Sequence, residues 1–212
     1  MKNLSRVVRC GALACSVLLG VALALAAFWR APGFAQNLHG RVRWDISSIS
    51  SFSPLTIGPG GTASALAADG SMITVTGTGT FEATAVGRFS ATAISGGGTW
   101  ETFDSTGAPT GSGTYQVLRG PASFQVAPGS LPPGAIDQIA DAEDSRSGLA
   151  RFDIEYSDQS RGWLVVSCDQ PVGTPMTIFE GITASKGFTN YWNRVPPVPG
   201  IDGNRTLFHV VD

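Results

Sequence analysis

In the stretch LARFDIEYSDQSRGWLVVSC (149–168), Arg151, Asp153 and Glu155 occupy every second position. Period-two spacing places all three on one face of a strand. Asp158 and Gln159 are turn residues that fold the stretch into a hairpin. With the turn centred there, Ala150, Phe152, Ile154 and Tyr156 share a core face with Trp163 and Val165. The charged trio then stands beside Leu164, Val166 and Cys168. A carboxylate against an apolar strand inside a barrel is desolvated, and a desolvated carboxylate can serve as a general acid or base. Asp153 and Glu155 are therefore the candidate catalytic residues, for proton movement in an isomerase or cyclase. The alternative is a partly exposed face on which Arg151 screens both acids.

Other reactive residue types are sparse. His39 and His209 are the only histidines, and neither an H-x-H nor a C-x-x-C spacing occurs, which argues against zinc. No G-x-S-x-G elbow is present. Cys168 ends an apolar strand and reads as a buried structural thiol. Glu101 and Glu180 are lone acids. The acids of DQIADAED (137–144) lack the glycine and alternating Asp/Asn of a calcium loop and read as solvated. No residue pattern calls for a cofactor. KGFTNYWNR (186–194) groups Phe188, Tyr191 and Trp192 with Asn190, Asn193 and Arg194, either a platform for sugar or peptide or a cap on the barrel end. Asn204-Arg205-Thr206 fits a glycosylation sequon.

These residues need elements to hold them, and the first segment to set aside is the N-terminus. Lys2, Arg6 and Arg9 precede the uncharged run 10–29, and small residues follow at 33–35. That order predicts a signal peptide over 1–35, or a membrane anchor if it is retained. The expected location is secreted or periplasmic, or anchored facing outside the cytoplasm, with the membrane touched only through this segment. Fourteen Lys and Arg become ten once Lys2, Arg6, Arg9 and Arg30 are set aside, against sixteen acids, a charge of −6. A mildly acidic domain with scattered arginines argues against nucleic acid as a partner. Of three cysteines only Cys168 lies beyond residue 35, so no internal disulfide framework supports the domain.

Residues 36–212 show alternation with Gly, Pro and Asp punctuation and almost no helical period. Strands are expected at 40–49, 72–85, 87–94, 97–103, 112–118 and 120–126, in the 149–168 hairpin, within 177–188 and at 205–211. Loops are expected at 54–71 and 127–148, the latter with a helical turn near 135–142. This predicts one all-β domain, an antiparallel barrel of eight to ten short strands, with a β-sandwich as the alternative.

Gly-x-Gly-Thr-aromatic occurs as GTGTF (77–81), GGGTW (96–100) and GSGTY (111–115). Alternation places Gly77 and Gly79 on the face of Phe81, Gly96 and Gly98 on that of Trp100, and Gly111 and Gly113 on that of Tyr115. Bare glycine backbone either receives a ring from a neighbouring strand and lets the sheet curve, or leaves room for a ligand. On the ligand reading, Phe81, Trp100, Tyr115, Arg151 and Trp192 are the candidate binding residues, for a small apolar molecule.

SGGGTWETF (95–103), GSGTYQV (111–117) and FEGITASKGF (179–188) resemble small β-barrels of the allene oxide cyclase and dirigent type, in which Gly-Thr-aromatic strands and a late G-x-T-x-x-x-G segment recur. Gly181, Thr183 and Gly187 correspond loosely to that segment. The resemblance implies an antiparallel barrel with an internal, mostly apolar pocket. It carries over no catalytic residue, and lipocalin-like barrels fit the strand count equally. Three readings follow: a small-molecule-binding barrel, an isomerase- or cyclase-like enzyme on that barrel, and a structural or surface-interaction protein with a solid core.

Overall fold

Val42, Trp44 and Ile46 alternate with Arg41, Arg43 and Asp45, and this period builds the first strand, β1 (Arg41–Phe52). The computed structural model describes residues 40–88, 91–127, 131–169, 174, 177–197 and 203–211, within the unit Ala35–Asp212. The leader reading of 1–35 and His39 lie outside these residues. Thirteen more strands follow: β2 (Leu55–Pro59), β3 (Ala63–Leu66), β4 (Met72–Val75), β5 (Thr78–Glu82), β6 (Ile94–Phe103), β7 (Pro109–Ala127), β8 (Ile136–Asp137), β9 (Ser145–Tyr156), β10 (Arg161–Cys168), β11 (Gly181–Lys186), β12 (Thr189–Tyr191), β13 (Asn193–Arg194) and β14 (Arg205–Val211). Two single 3-10 turns, Ala83–Ala85 and Ala142–Asp144, are the helical elements among the described residues.

The fold is all-β, and its strands form one sheet that partly closes into a ring. β1 lies between β14 and β5, β5 pairs with β6, β6 with β7, and β7 with β9. The start of β9 returns to β14 through Arg146 opposite Phe208 and Ser145 opposite His209. β10, β11 and β12 extend from β9, while β4, β3 and β13 extend from β6. Among the described residues every pairing is antiparallel except that of β2 with β8.

The strand count exceeds eight to ten because several expected segments divide or join differently. The 54–71 loop contains β2 and β3, which pair with β1 and β4. The expected strand at 72–85 breaks after Val75. β4 and β5 keep one continuous register against β6, but at the break the backbone bonds sideways, with Ile46 N–H donating to Gly77 O. β5 thereby receives β1 as a second neighbour. Instead of a strand at 87–94, the chain makes the 3-10 turn and a bend through Arg88, and β6 starts at Ile94. The separate strands at 112–118 and 120–126 are one 19-residue strand, β7, whose register slips around Arg119. The helical turn expected near 135–142 comes at its end, as the 3-10 turn Ala142–Asp144, while β8 and a bend occupy 136–140.

The core lies inside the ring. Its aromatic side chains touch in a chain from Phe208 through Phe124, Phe81 and Phe152 to Trp44, with centroid separations of 5.0–5.9 Å. A second group joins Trp100 and Tyr115 to Tyr156.

Candidate functional site

The glycine units answer to packing. A Cβ on Gly79 would stand 2.7 Å from the Trp44 ring nitrogen, and one on Gly96 2.9 Å from another atom of the same indole. Trp44, directly opposite Gly79 in the β1–β5 register, therefore lies flat over both glycines. A Cβ on Gly111 or Gly113 would stand 3.3 or 3.1 Å from the Trp100 ring. Tyr115 reaches across Gly98 of β6 to donate its hydroxyl to Thr76 O at 2.8 Å, where a Cβ on Gly77 would collide with it. Phe81, Trp100 and Tyr115 are all buried. Desolvation holds the Tyr115 and Tyr156 phenols well above the usual tyrosine range, so both stay neutral hydrogen-bond donors.

One end of this stack is stoppered by Lys186. Its Nζ sits 4.2 Å from the Trp100 centroid and 4.9 Å from that of Tyr156, an inserted cation over two rings. The ammonium also pairs with Asp158 and donates to Ser160 Oγ at 2.9 Å. The hydrogen bonds from Lys186 and then Ser160 hold the Asp158 carboxyl down to about 2. A lysine paired with a carboxylate in this way is an ammonium, and an ammonium cannot take a proton from the adjacent serine, so Ser160 and Lys186 do not make a nucleophile–base pair.

The β9–β10 hairpin corrects the expected faces. Glu155 pairs with Arg161 and Phe152 with Leu164, and Tyr156 N–H donates to Ser160 O, so the loop holds three residues, Ser157 to Gln159, rather than two. This one-residue slip turns β10 over. Leu164, Val166 and Cys168 face the core with Phe152, while Trp163 joins Arg151, Asp153 and Glu155 on the outer face, where Val165 is covered. The acids do not sit on a barrel interior. Asp153 pairs with Arg119 at 2.8 Å and with Arg151 at 3.7 Å, and Glu155 with Arg161 at 3.2 Å. Arg151 itself is 44 % exposed, on the outer face and away from the buried rings.

Trp163, freed from the core by that slip, stacks on Trp192 with ring centroids 4.6 Å apart. Pairing of β10 with β11 and of β11 with β12 places Thr183 and Ser185 between them, and these small side chains leave the indoles room to meet. Trp192 is 63 % exposed, and Phe188, at the tip of the β11–β12 hairpin, is completely exposed. Phe188, Asn190 and Trp192 share one face by alternation, whereas Tyr191 turns inward and is buried opposite Ala184. The 186–194 segment thus splits its aromatics, one to the core and two to solvent.

Three polar clusters were not legible as clusters in the sequence. Asp45 is buried and receives two hydrogen bonds from Arg43 (2.7 and 2.9 Å) and one from Thr78 (2.8 Å). His209 Nε2 lies 2.8 Å from Asp137 Oδ2, both side chains at most 1 % exposed, so Asp137 is not a solvated loop acid but an anchor for the 131–144 segment. Seventy-two positions separate that pair. Glu180 is buried and accepts from the backbone N–H of Thr206 (2.7 Å) and Asp169 (2.9 Å). Burial pushes its carboxyl up to about 7, against the lowering effect of the two N–H donors and Arg205.

Among the described residues no group of three or more His, Cys, Asp or Glu could hold a metal ion. At the sequon, Asn204 accepts from Ser64 N–H at 2.6 Å and Thr206 is buried, so both side chains are engaged in the fold. No family model, curated protein or solved structure matches the chain.

Proposed function

We propose that this is an exported β-barrel that acts through its outer surface, with a solid core that stiffens it. The observation that carries this reading is the exposure of Phe188 and Trp192, the latter packed against the half-buried Trp163. Large rings left in water are a cost that contact with a partner removes. The reading gains support from the interior, where Trp44 lies over the glycines that a ligand would otherwise approach. It gains more from Asp153 and Glu155, whose arginine partners on the outer face satisfy them without substrate. On this reading the likeness to dirigent-type barrels is one of architecture alone, and the leader segment is the route out of the cytoplasm.

The test uses protein purified from its own host. Native mass spectrometry is expected to give the polypeptide mass without a bound small molecule. Wild type is expected to be retained on host envelope material, and a Phe188→Ser/Trp192→Ala variant of unchanged melting temperature is expected to wash through. A small molecule travelling with the protein, together with equal retention of the two forms, would overturn the reading in favour of an interior site.

A further inference from the structure

Outward-facing hydroxyls continue from the aromatic surface around the barrel. One open groove of about 510 Å³ crosses β4, β6 and β7 and is lined by Thr74, Thr76, Thr99, Ser112, Thr114 and the carboxylate of Glu101. A second, of about 640 Å³, shares Thr114 and runs over β7 and β9 past Gln116, Ser157 and Gln159 to Arg161. Arg161 and Trp163 are two apart on β10 and lie on the same face, and Trp163 stacks on Trp192. Strand neighbours are about 4.8 Å apart, so from β4 to β10 the strip extends roughly 19 Å before the indole pair begins.

We infer that this strip and the Trp163–Trp192 pair bind a neutral polysaccharide chain, an inference that rests on the surface-acting reading above. The chemistry of the strip selects that class. A sugar ring offers hydroxyls that donate and accept around its rim and an apolar C–H face, and the surface offers hydroxyls and amides beside indoles. Thr76 and Thr99 share one hydrogen bond at 2.8 Å, which still leaves one O–H of the pair for a ligand. Charge complementarity points the same way. Arg161 is neutralised by Glu155, and Glu101 has no ion-pair partner among the described residues, so a polyanion would meet a carboxylate with no cation to offset it. The grooves are open, whereas a discrete small ligand is held in sites that bury most of its surface. A chain that passes across needs only a shallow track and a stacking post.

Affinity electrophoresis of the full chain through gels containing a mixed-linkage glucan, a xylan or a galactomannan tests this, with polygalacturonate as the anionic polymer and phosphatidylcholine vesicles as the lipid surface. At least one neutral polymer is expected to retard the protein. Trp192→Ala and Trp163→Ala are each expected to weaken retardation about tenfold. Thr99→Val is expected to weaken it about threefold, by loss of one neutral hydrogen bond. Glu82→Gln, on the Arg41 pair away from the strip, should migrate like wild type. Migration unchanged in all three neutral gels overturns the inference, as does binding only to polygalacturonate or to vesicles. If envelope retention still depends on Phe188 and Trp192 in that case, the surface-acting reading stands and only the ligand class is wrong. If it does not, both fail.

Discussion

Trp100 and Trp163 both stand in regular strands, yet they meet opposite solvents. Trp100 faces inward over Gly111 and Gly113, and its indole N–H donates to Thr114 O at 3.1 Å. Trp163 faces outward and finds Trp192 across two small residues. In both places a ring requires neighbours without bulk. Inside, glycine provides this because backbone must approach the ring directly. Outside, Thr and Ser suffice because the rings need only pass above them. The comparison separates side chains that hold the barrel together from those it displays.

The sharpest way to break the inner half is Trp44→Ala. Removing a fully buried indole from above Gly77, Gly79 and Gly96 leaves a cavity the rigid sheet cannot collapse into, and a loss of about 3–5 kcal/mol is expected in urea unfolding. Gly98→Ala attacks a separate close approach of backbone to backbone, since its Cβ would stand 2.1 Å from Thr76 O. A cost of about 1–3 kcal/mol is expected, and a neutral result would refute the need for a bare backbone there.

Glu180 gives the inner half a pH signature. Its folded carboxyl sits near 7, above the unfolded value of 4.5, so the folded state binds the extra proton between those values. Stability from this group is therefore greatest below about 4.5 and falls as pH rises to about 7, by up to about 3 kcal/mol. The difference in unfolding free energy between wild type and Glu180→Gln should drift with pH in that window and level off outside it. A constant difference would place the carboxyl near its ordinary value. Lys186→Met, which keeps the stem but removes the cation over Trp100 and the pair with Asp158, is expected to lower stability by about 1–2 kcal/mol. On the outer half, Trp192→Ala should change stability by less than about 0.5 kcal/mol. A larger loss would mean that the exposed indole belongs to the core after all.

Alternation alone identified the all-β class, and β14 falls on its expected span of 205–211. The glycine faces were equally legible, because parity in a strand fixes which residues share a side. Parity also explains the failure at 149–168. The faces within β9 were right, but relating β9 to β10 needs the loop length, and Asp158-Gln159 looks like a two-residue turn while the backbone makes a three-residue one. A single position of slip hid Trp163 in the expected core and put the acids in an expected interior. The buried partners Asp137 and His209 were beyond reach for another reason. Nothing local connects a loop acid to a residue on the last strand until the sheet closes.

The insertion of Lys186 has a practical side. It is the sole lysine in residues 36–212, and in the fold its amine is tied to Asp158 and Ser160 under cover of two rings. A lysine-specific protease thus has one peptide bond to cut in this domain, and it sits at the barrel's stoppered end. The rate of that single cleavage reads how often this end opens, without any label being attached.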